Sequence, residues 1–523
     1  MLTYFTQREF RRIAYAGMAI QVLAAFFTVG YNHPDEHWQV LEFANYKLGF
    51  SPAADLPWEF GEQIRQAWQP FLAFLIGKGL LALNLYSPFT LALILRLLTA
   101  LAGYAATLQI IALFLREPAL EKYQKPALWL ASFLWFLPYN RAHFHSETLS
   151  GVFFFLGLAV VLRALRQPDK KQWGQIFLSG VLMGTAFESR FQIAFGILAT
   201  VVWLLVYQRP TFGQAVVGIA GFCLIIGLGI LIDRWFYGNW VLTAYRYFDV
   251  NILQSKASNW GVSPFWYYPV LVAETAAPPL SIFLIIGTFV AMFAYPRHIL
   301  TWIFVLMLLG HSLVPHKEVR FLFPLIFALP VVLVLAWKSD RWQKVIQSTP
   351  RWLQRTFVYL LLFENVALLA VATLKPANES AGTFAKVYEY ADDQLITLYT
   401  LDTNPYFWTD LAIHFYRPRQ LEVLHFDSID SLIAQMQAHP QGKKLFFYYG
   451  FALEEKYPQE AAYFRPLHRT IPVWLKYFNF GNWISRTRIW CLYELEPAAV
   501  PPSASGGASM GNFTQLMRKT ERN

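Results

Sequence analysis

The chain has 523 residues, 56% of them hydrophobic and only 15% charged, with a formal net charge of +10 at pH 7. Such proportions exclude an ordinary soluble globule and describe a polytopic membrane protein. The positive charge needs no nucleic acid to explain it, because much of it follows the inside-positive asymmetry of membrane insertion.

In chain order, apolar runs able to cross a hydrocarbon core of about 30 Å are predicted near residues 12–30, 89–115, 126–139, 148–165, 175–188, 190–207, 214–232, 268–293, 299–314, 320–337 and 356–374. The first run, preceded by Arg11 and Arg12, reads as a retained signal anchor. A long first outer loop follows at 31–88. Within it, Pro70–Tyr86 is interrupted by Gly77, Lys78 and Gly79 and reads as an amphipathic helix lying on the surface. With the amino terminus inside, about 17 Lys and Arg fall on short inner segments against about 10 on a longer outer set. The inner set includes Arg116, Lys170, Lys171 and Arg209. Residues 1–374 thus form a transmembrane domain.

After residue 375 the sequence turns mixed polar and aromatic, with strand-like runs at 394–400 and 444–449, so a small extracytoplasmic α/β domain is expected over 375–496. Residues 497–523, rich in Pro, Ala, Ser and Gly, read as a disordered tail. Asn378-Glu-Ser and Asn512-Phe-Thr match the glycosylation pattern, and Cys223 and Cys491 are not expected to pair. No CxxC or HExxH pattern supports a metal.

Polar clusters gather in the predicted outer loops. His33-Pro-Asp-Glu36 places two carboxylates beside His33 and His37 where the chain leaves the first span, which suits acid/base chemistry at a bilayer. The same residues also suit a turn and helix start, with Pro34 fixing φ. Trp58, Glu59, Arg65 and Trp68 combine aromatic planes with carboxylate and guanidinium groups, as a sugar requires, although aromatics are also ordinary interfacial residues. The Asp233–Gly238 segment, with Tyr237, has the same two readings. His316, Lys317 and Arg320 put three potential cations within five residues at the mouth of the tenth span, a clamp for phosphate or a pair of snorkelling side chains. Arg96 lies inside the second span, where a charge is costly unless it is paired or lines a cavity. Glu147, Glu188, Arg190, His311, Glu364 and Asn365 are further polar groups in or near spans, each able to pair structurally.

Taken together, the chain resembles glycosyltransferase family 22, the polytopic mannosyltransferases that use a polyprenyl-phosphate sugar donor. The resemblance rests on His33-Pro-Asp-Glu36 with Gln39 and Glu42, Trp58-Glu59-Phe60 with Ile64-Arg65, Asp233 with Tyr237-Gly238, and His316-Lys-Glu-Val-Arg-Phe-Leu-Phe-Pro324. Asn140–Glu147 and Tyr245–Ser258 match the family pattern only loosely.

The resemblance implies an all-α polytopic GT-C fold with about 11 transmembrane helices and an extracytoplasmic carboxyl-terminal region. It implies mannose transfer from polyprenyl-phosphate mannose to a hydroxyl of a glycan or glycolipid acceptor, with inversion to an α-mannoside. Asp35 would be the general base, with Glu36 or Glu59 orienting the acceptor or supporting the loop. Lys317, Arg320, His316 and Arg96 would hold the donor phosphate, and His33, Gln39, Trp58, Glu59, Arg65, Asp233 and Tyr237 the sugar or acceptor. No cofactor or metal is implied, and membrane lipids are the expected surroundings. Transfer of another lipid-phosphate-linked sugar is the alternative within enzymes. A lipid or sugar transporter is the alternative outside them, but it predicts paired repeats and polar residues on both faces, neither of which is visible. Compact loops and no visible retention signal favour a bacterial cytoplasmic membrane, with the endoplasmic reticulum as the alternative.

Overall fold

The computed structural model describes residues 8–115, 120–166, 172–391, 394–401, 403–408, 411–438 and 442–496. Arg116, Lys170, Lys171, Asn512 and the predicted tail lie outside the described residues. Two compact units emerge, one running to Tyr388 and including Pro405–Arg419, the other comprising Glu389–Asn404 and the chain from Gln420. The division falls inside the helix Ser380–Ala391.

In the larger unit every predicted span coincides with a helix or a broken helix pair. Among the described residues six helices are long and apolar enough to cross a membrane, namely Arg8–Phe27, Pro88–Phe114, Ser146–Arg166, Phe191–Gln208, Phe212–Tyr237 and Arg351–Leu374. Val319–Phe327 and Leu329–Lys338, bent by 71° at their junction, form a broken span or a re-entrant pair. Apolar side chains on the outward faces of Phe212–Tyr237 and Arg351–Leu374, such as Leu231 and Phe363, remain exposed, as lipid-facing helices require.

Two other predicted spans are broken, and the breaks explain polar residues that composition alone left unassigned. The run 126–139 is split into Gln124–Phe133 and Phe136–Ala142. At this break the Asn365 amide donates to the Phe133 carbonyl at 2.7 Å and accepts from the Trp135 N–H at 3.0 Å. The run 268–293 is split into Tyr268–Thr275 and Leu280–Ala294, and the Leu280 N–H at the restart donates to Glu364 Oε2 at 3.1 Å. Free backbone groups at membrane depth are expensive, so adjacent polar residues on the Arg351–Leu374 helix supply the partners that the broken helices lack.

The helices Gln172–Ser189 and Phe212–Tyr237 pack through small residues. A Cβ on Gly180 would lie 2.0 Å from the Gly218 carbonyl oxygen, and one on Gly221 would lie 2.3 Å from that of Phe177. Such close backbone approach is how helices associate where lipid removes the hydrophobic drive. The stretch predicted as an amphipathic surface helix is Trp68–Ala82. It buries Gln69, Pro70, Ala73, Gly77 and Leu80 along one stripe, but its exposed side carries Leu75 and is also apolar. At about 22 Å it is too short to cross.

The smaller unit is built on a five-stranded mixed sheet. Strands β1 (Ile396–Thr400), β4 (Leu421–His425), β5 (Lys443–Tyr449), β6 (Phe464–Arg469) and β7 (Trp490–Leu495) lie in the order β4-β1-β5-β7-β6. The first three are mutually parallel, and β7 runs antiparallel to both neighbours. Helix Ile429–Ala438 crosses between β4 and β5 and presents Leu432 and Met436 to a core with Tyr399, Phe446 and Tyr493. The near-continuous apolar character of β1 and β5 follows from their central place. Both cysteines are free thiols. The remaining strands, β2 (Phe407–Trp408) and β3 (Leu411–Ala412), form a hairpin belonging to the larger unit.

Candidate active site

The first helix ends at Phe27, and Gly30, with a φ of +99°, turns the chain beyond it. Three residues on, His33 is the N-cap of the short helix Pro34–Glu36, and its Nδ1 accepts from the Asp35 N–H at 3.1 Å. The turn-and-helix-start reading of His-Pro-Asp-Glu is the one the backbone adopts. The cap is what aims Asp35.

Asp35 faces a group of cations. Its Oδ2 lies 2.5 Å from Arg320 Nη1 and 3.6 Å from Arg65 Nη2. Arg320 is itself held by Glu318, which accepts from Nε at 2.6 Å and from Nη2 at 2.8 Å in a fork geometry. It also donates to Glu147 Oε1 at 3.2 Å. Glu318 further receives His316 Nε2 at 2.9 Å and His33 Nε2 at 3.3 Å. Burial would push the Asp35 carboxyl up, but Arg320, His33 and Arg65 outweigh it and hold it well below the usual carboxylate range.

Glu59 differs. It accepts from Gln39 Nε2 at 3.0 Å and lies 3.6 Å from Arg65, and burial, opposed by Arg65 and reinforced by Asp35, raises it above its ordinary value. One cluster thus contains a carboxylate kept ionised and a carboxyl pushed toward the protonated form.

Glu36 points away from this group. It accepts the backbone N–H of Asn32 at 2.8 Å and of Phe144 at 2.8 Å, and pairs with His143 Nδ1 at 3.1 Å. Despite burial, His143, His145 and the Asn32 N–H bring it down to about 2. It pins the loop after the first helix to the His143–His145 turn. Glu42 does similar work, with Oε2 accepting from Ser51 and Oε1 meeting His37 Nε2 at 3.1 Å and the N–H groups of His414 and Phe415 at 2.8 Å each.

The other sequence-predicted residues divide. Lys317 is near the cluster, donating to the carbonyls of Val314 at 2.8 Å and Ser263 at 3.0 Å. Asp233 and Tyr237 do not face Asp35. Asp233 accepts from the Ala67 N–H at 2.8 Å and from Thr243 Oγ1 at 2.7 Å, and the Tyr237 hydroxyl donates to the Arg65 carbonyl at 2.6 Å. Both hold the segment that carries Arg65. Trp58 lies under Lys256 Nζ, 4.0 Å from its ring centroid. Arg96 donates from Nε to the Ala25 carbonyl at 2.8 Å, leaves Nη1 without a partner, and is not brought to Asp35 or Arg320.

Glu147, Arg190 and Glu318 were noticed in the sequence without a role in the site. Glu147 joins Arg320 to Arg190, whose Nη2 lies 3.2 Å from Glu147 Oε1. The available signal was the expense of an unpaired charge at a span end, applied to both partners at once.

Beside the cluster lies a cavity of about 540 Å³. His33, His145, Lys317 and Arg320 line its polar part, and Val272, Leu284, Phe304 and Ile326 are among the residues of a long apolar wall. A hydrocarbon chain with a charged phosphate head matches that division, and the Asp35 carboxylate bonded to Arg320 can take a proton from a hydroxyl brought beside such a head.

Comparison with known proteins agrees with this picture. The model of the Alg9-like mannosyltransferase family matches residues 13–392. The chain is 27% identical over 379 residues to GPI mannosyltransferase 3 of Yarrowia lipolytica, covering 71% of this chain and 67% of that one. It is 29% identical over 202 residues to a probable Dol-P-Man:Man(7)GlcNAc(2)-PP-Dol alpha-1,6-mannosyltransferase of Schizosaccharomyces pombe, covering 37% and 35%. With mannosyltransferase APTG1 of Arabidopsis thaliana it shares 25% identity, covering 62% and 58%. The matched part thus spans from about a third to two thirds of these relatives. Among solved structures, ArnT from Cupriavidus metallidurans bound to undecaprenyl phosphate aligns with a TM-score of 0.53 at 14% identity, covering 94% of this chain and 99% of that one. That likeness shows the GT-C fold. The chain belongs to the Alg9-like mannosyltransferase family of membrane glycosyltransferases.

Proposed function

We propose that this protein transfers mannose from polyprenyl-phosphate mannose to a hydroxyl of a glycan or glycolipid acceptor on the extracytoplasmic or lumenal side. The observation that carries this reading is the cavity of about 540 Å³, apolar along its length and headed by Lys317 and Arg320, with Asp35 bonded to Arg320. Names of relatives that contain Dol-P-Man and GPI, and a fold neighbour bound to undecaprenyl phosphate, support it.

The steps follow from charge. The donor's hydrocarbon occupies the apolar wall and its phosphate meets Arg320 and Lys317, with His316 held nearby through Glu318. Arg320 is shared, so the phosphate takes over the guanidinium edge that Asp35 holds in the resting protein. Asp35, released from its closest cation, accepts the proton of the acceptor hydroxyl as the oxygen attacks the anomeric carbon. The bond from that carbon to the phosphate oxygen breaks, and the polyprenyl phosphate leaves as an anion stabilised by Arg320 and Lys317 without needing a proton. A single displacement inverts the anomeric centre, so a β-linked donor gives an α-mannoside. Arg65, 3.6 Å from both Asp35 and Glu59, and Glu59 itself are the groups assigned to the acceptor's hydroxyls.

The test is a donor panel. Membranes containing the protein are given radiolabelled polyprenyl-phosphate mannose, polyprenyl-phosphate glucose or GDP-mannose. Label transferred from the first alone supports the reading, transfer from the glucose lipid alone replaces mannose by another sugar, and transfer from the nucleotide alone overturns the lipid donor.

A further inference from the structure

The long helix Phe212–Tyr237 stops at Gly238, whose φ of +81° is the left-handed cap that ends it. Helix resumes at Thr243–Phe248 and continues through Asp249–Leu253 without a break. One face of this second helix is spent on the protein. Thr243 Oγ1 donates to Asp233 Oδ2 at 2.7 Å, Arg246 Nε donates to the Glu62 carbonyl at 3.3 Å, and the Tyr247 hydroxyl accepts from Gln192 Nε2 at 3.1 Å. Val250, on the same side, is buried.

The other face is apolar and bare. Leu242, Tyr245, Phe248 and Ile252 recur every three or four residues and are 40–59% exposed, with Leu253 beside them at 62%. An amphipathic helix on a soluble protein turns its apolar stripe to the core and its polar side to water. Here the polar side meets the protein, so the outward stripe calls for an apolar medium.

That medium follows from where the helix starts. Phe212–Tyr237 is about 39 Å long, more than the roughly 30 Å of a hydrocarbon core, so its ends lie among headgroups. Asp233 is one turn inside that end, and its bond to Thr243 ties the first turn of the second helix to the same depth. The second helix therefore begins at the boundary between headgroups and acyl chains. Its bare face also continues a lipid-facing surface. Leu228, Leu231 and Trp235 are exposed along the span, and Trp240 is exposed between the two helices, with the Arg234 guanidinium carbon 4.1 Å from its ring centroid. Tryptophan with a cationic neighbour suits the interfacial layer.

We propose that Thr243–Leu253 is an interfacial anchor, lying along the leaflet on the active-site side with Leu242, Tyr245, Phe248 and Ile252 among the acyl chains of phospholipid. The same helix carries Tyr247, whose ring centroid is 5.8 Å from the Arg65 guanidinium carbon, so one support of Arg65 rests on lipid.

The test is a depth measurement on the full-length protein in bilayers of phosphatidylcholine and phosphatidylglycerol. Cys223, which is exposed, is replaced in Cys223→Ser, and Cys491, which is buried, stays out of reach of the label. Tyr245→Cys, Phe248→Cys and Ile252→Cys are then spin-labelled singly, and collisions with lipid-soluble oxygen are compared with collisions with a water-soluble nickel chelate. Leu228→Cys serves as the reference for lipid and Gln437→Cys, exposed on the helix Ile429–Ala438, as the reference for water. All three labels should favour oxygen, at a depth of roughly 5–10 Å and shallower than Leu228. Labels that favour nickel as Gln437 does place the face in water and overturn the proposal. Labels shielded from both show a second protein surface on the face, and they overturn it too. The three side chains are exposed, so their replacement opens no interior cavity, and thermal unfolding of each labelled protein checks that the fold is kept. Leu242→Cys, on the same stripe, stands in for any variant that unfolds early.

Discussion

Arg320 Nη1 stands 2.5 Å from Asp35 Oδ2, a contact between residues 285 positions apart in the chain. It joins the two motifs that the sequence places at opposite ends of the transmembrane region. It also means that the proposed base is engaged until something else takes the guanidinium.

That engagement has a pH signature. Asp35 is held well below its ordinary value chiefly because Arg320 outweighs burial, so in the free enzyme its carboxylate persists far into acid. Once a donor phosphate occupies Arg320, the cation is shared while burial remains, and the pKa must rise. The acid limb of kcat, which reports the loaded enzyme, should therefore lie at higher pH than that of kcat/KM, which reports the free enzyme. Rate profiles from about pH 4 to 8 should show an acid limb in kcat and none in kcat/KM, and the same limb in both would contradict this.

Arg320→Lys retains the charge but loses the fork on Glu318, whose two bonds are 2.6 and 2.8 Å, and cannot reach Asp35 and Glu147 together. Loss of planar bidentate geometry should lower kcat/KM by about a hundredfold, mostly in kcat, because charge on the leaving phosphate develops in the transition state. Steady-state kinetics against donor concentration separates this from simple weakening of binding.

Glu36→Gln tests the structural assignment of the second carboxylate. Glu36 is buried, with a pKa brought down to about 2, so it stabilises the fold above its unfolded value near 4.5 and that contribution disappears as pH falls toward 2. The variant should be destabilised at neutral pH by on the order of 3 kcal/mol, with the gap to wild type closing in acid. Thermal unfolding in detergent at a series of pH values measures it.

Asp233→Asn should act on geometry rather than chemistry. It replaces one acceptor with an amide facing the Ala67 N–H or the Thr243 hydroxyl, loosening the segment that carries Arg65. Activity should fall about tenfold, and Thr243→Val should add little on top, since both remove the same anchor. Additive losses in the double variant would separate the two residues.

Much of the larger unit was legible because a bilayer imposes long apolar runs. Breaks were not. Residues 126–139 and 268–293 read as continuous spans, yet both are interrupted where Asn365 and Glu364 supply hydrogen bonds from a helix far along the chain, which no local pattern reveals. The Trp68–Ala82 helix was placed correctly but read as amphipathic on the strength of Lys78 and two glycines, although most of its surface is apolar. At the site, Asp35, Arg65, Glu59, Gln39, Lys317 and Arg320 come together as their motifs suggest. Neighbouring carboxylates such as Asp35 and Glu36 could not be separated by spacing, because only the fold turns one toward cations and the other toward backbone N–H groups. Arg96 shows the opposite difficulty, since a charge inside a span signals a partner but not that the partner is the Ala25 carbonyl.

The most direct measurement is mannose transfer from radiolabelled polyprenyl-phosphate mannose by wild type and Asp35→Asn at matched expression, with donor binding measured on both. Transfer should vanish in the variant, by about a thousandfold or more, while donor binding persists because Arg320 and Lys317 remain. Equal transfer by the two proteins would contradict Asp35 as the base.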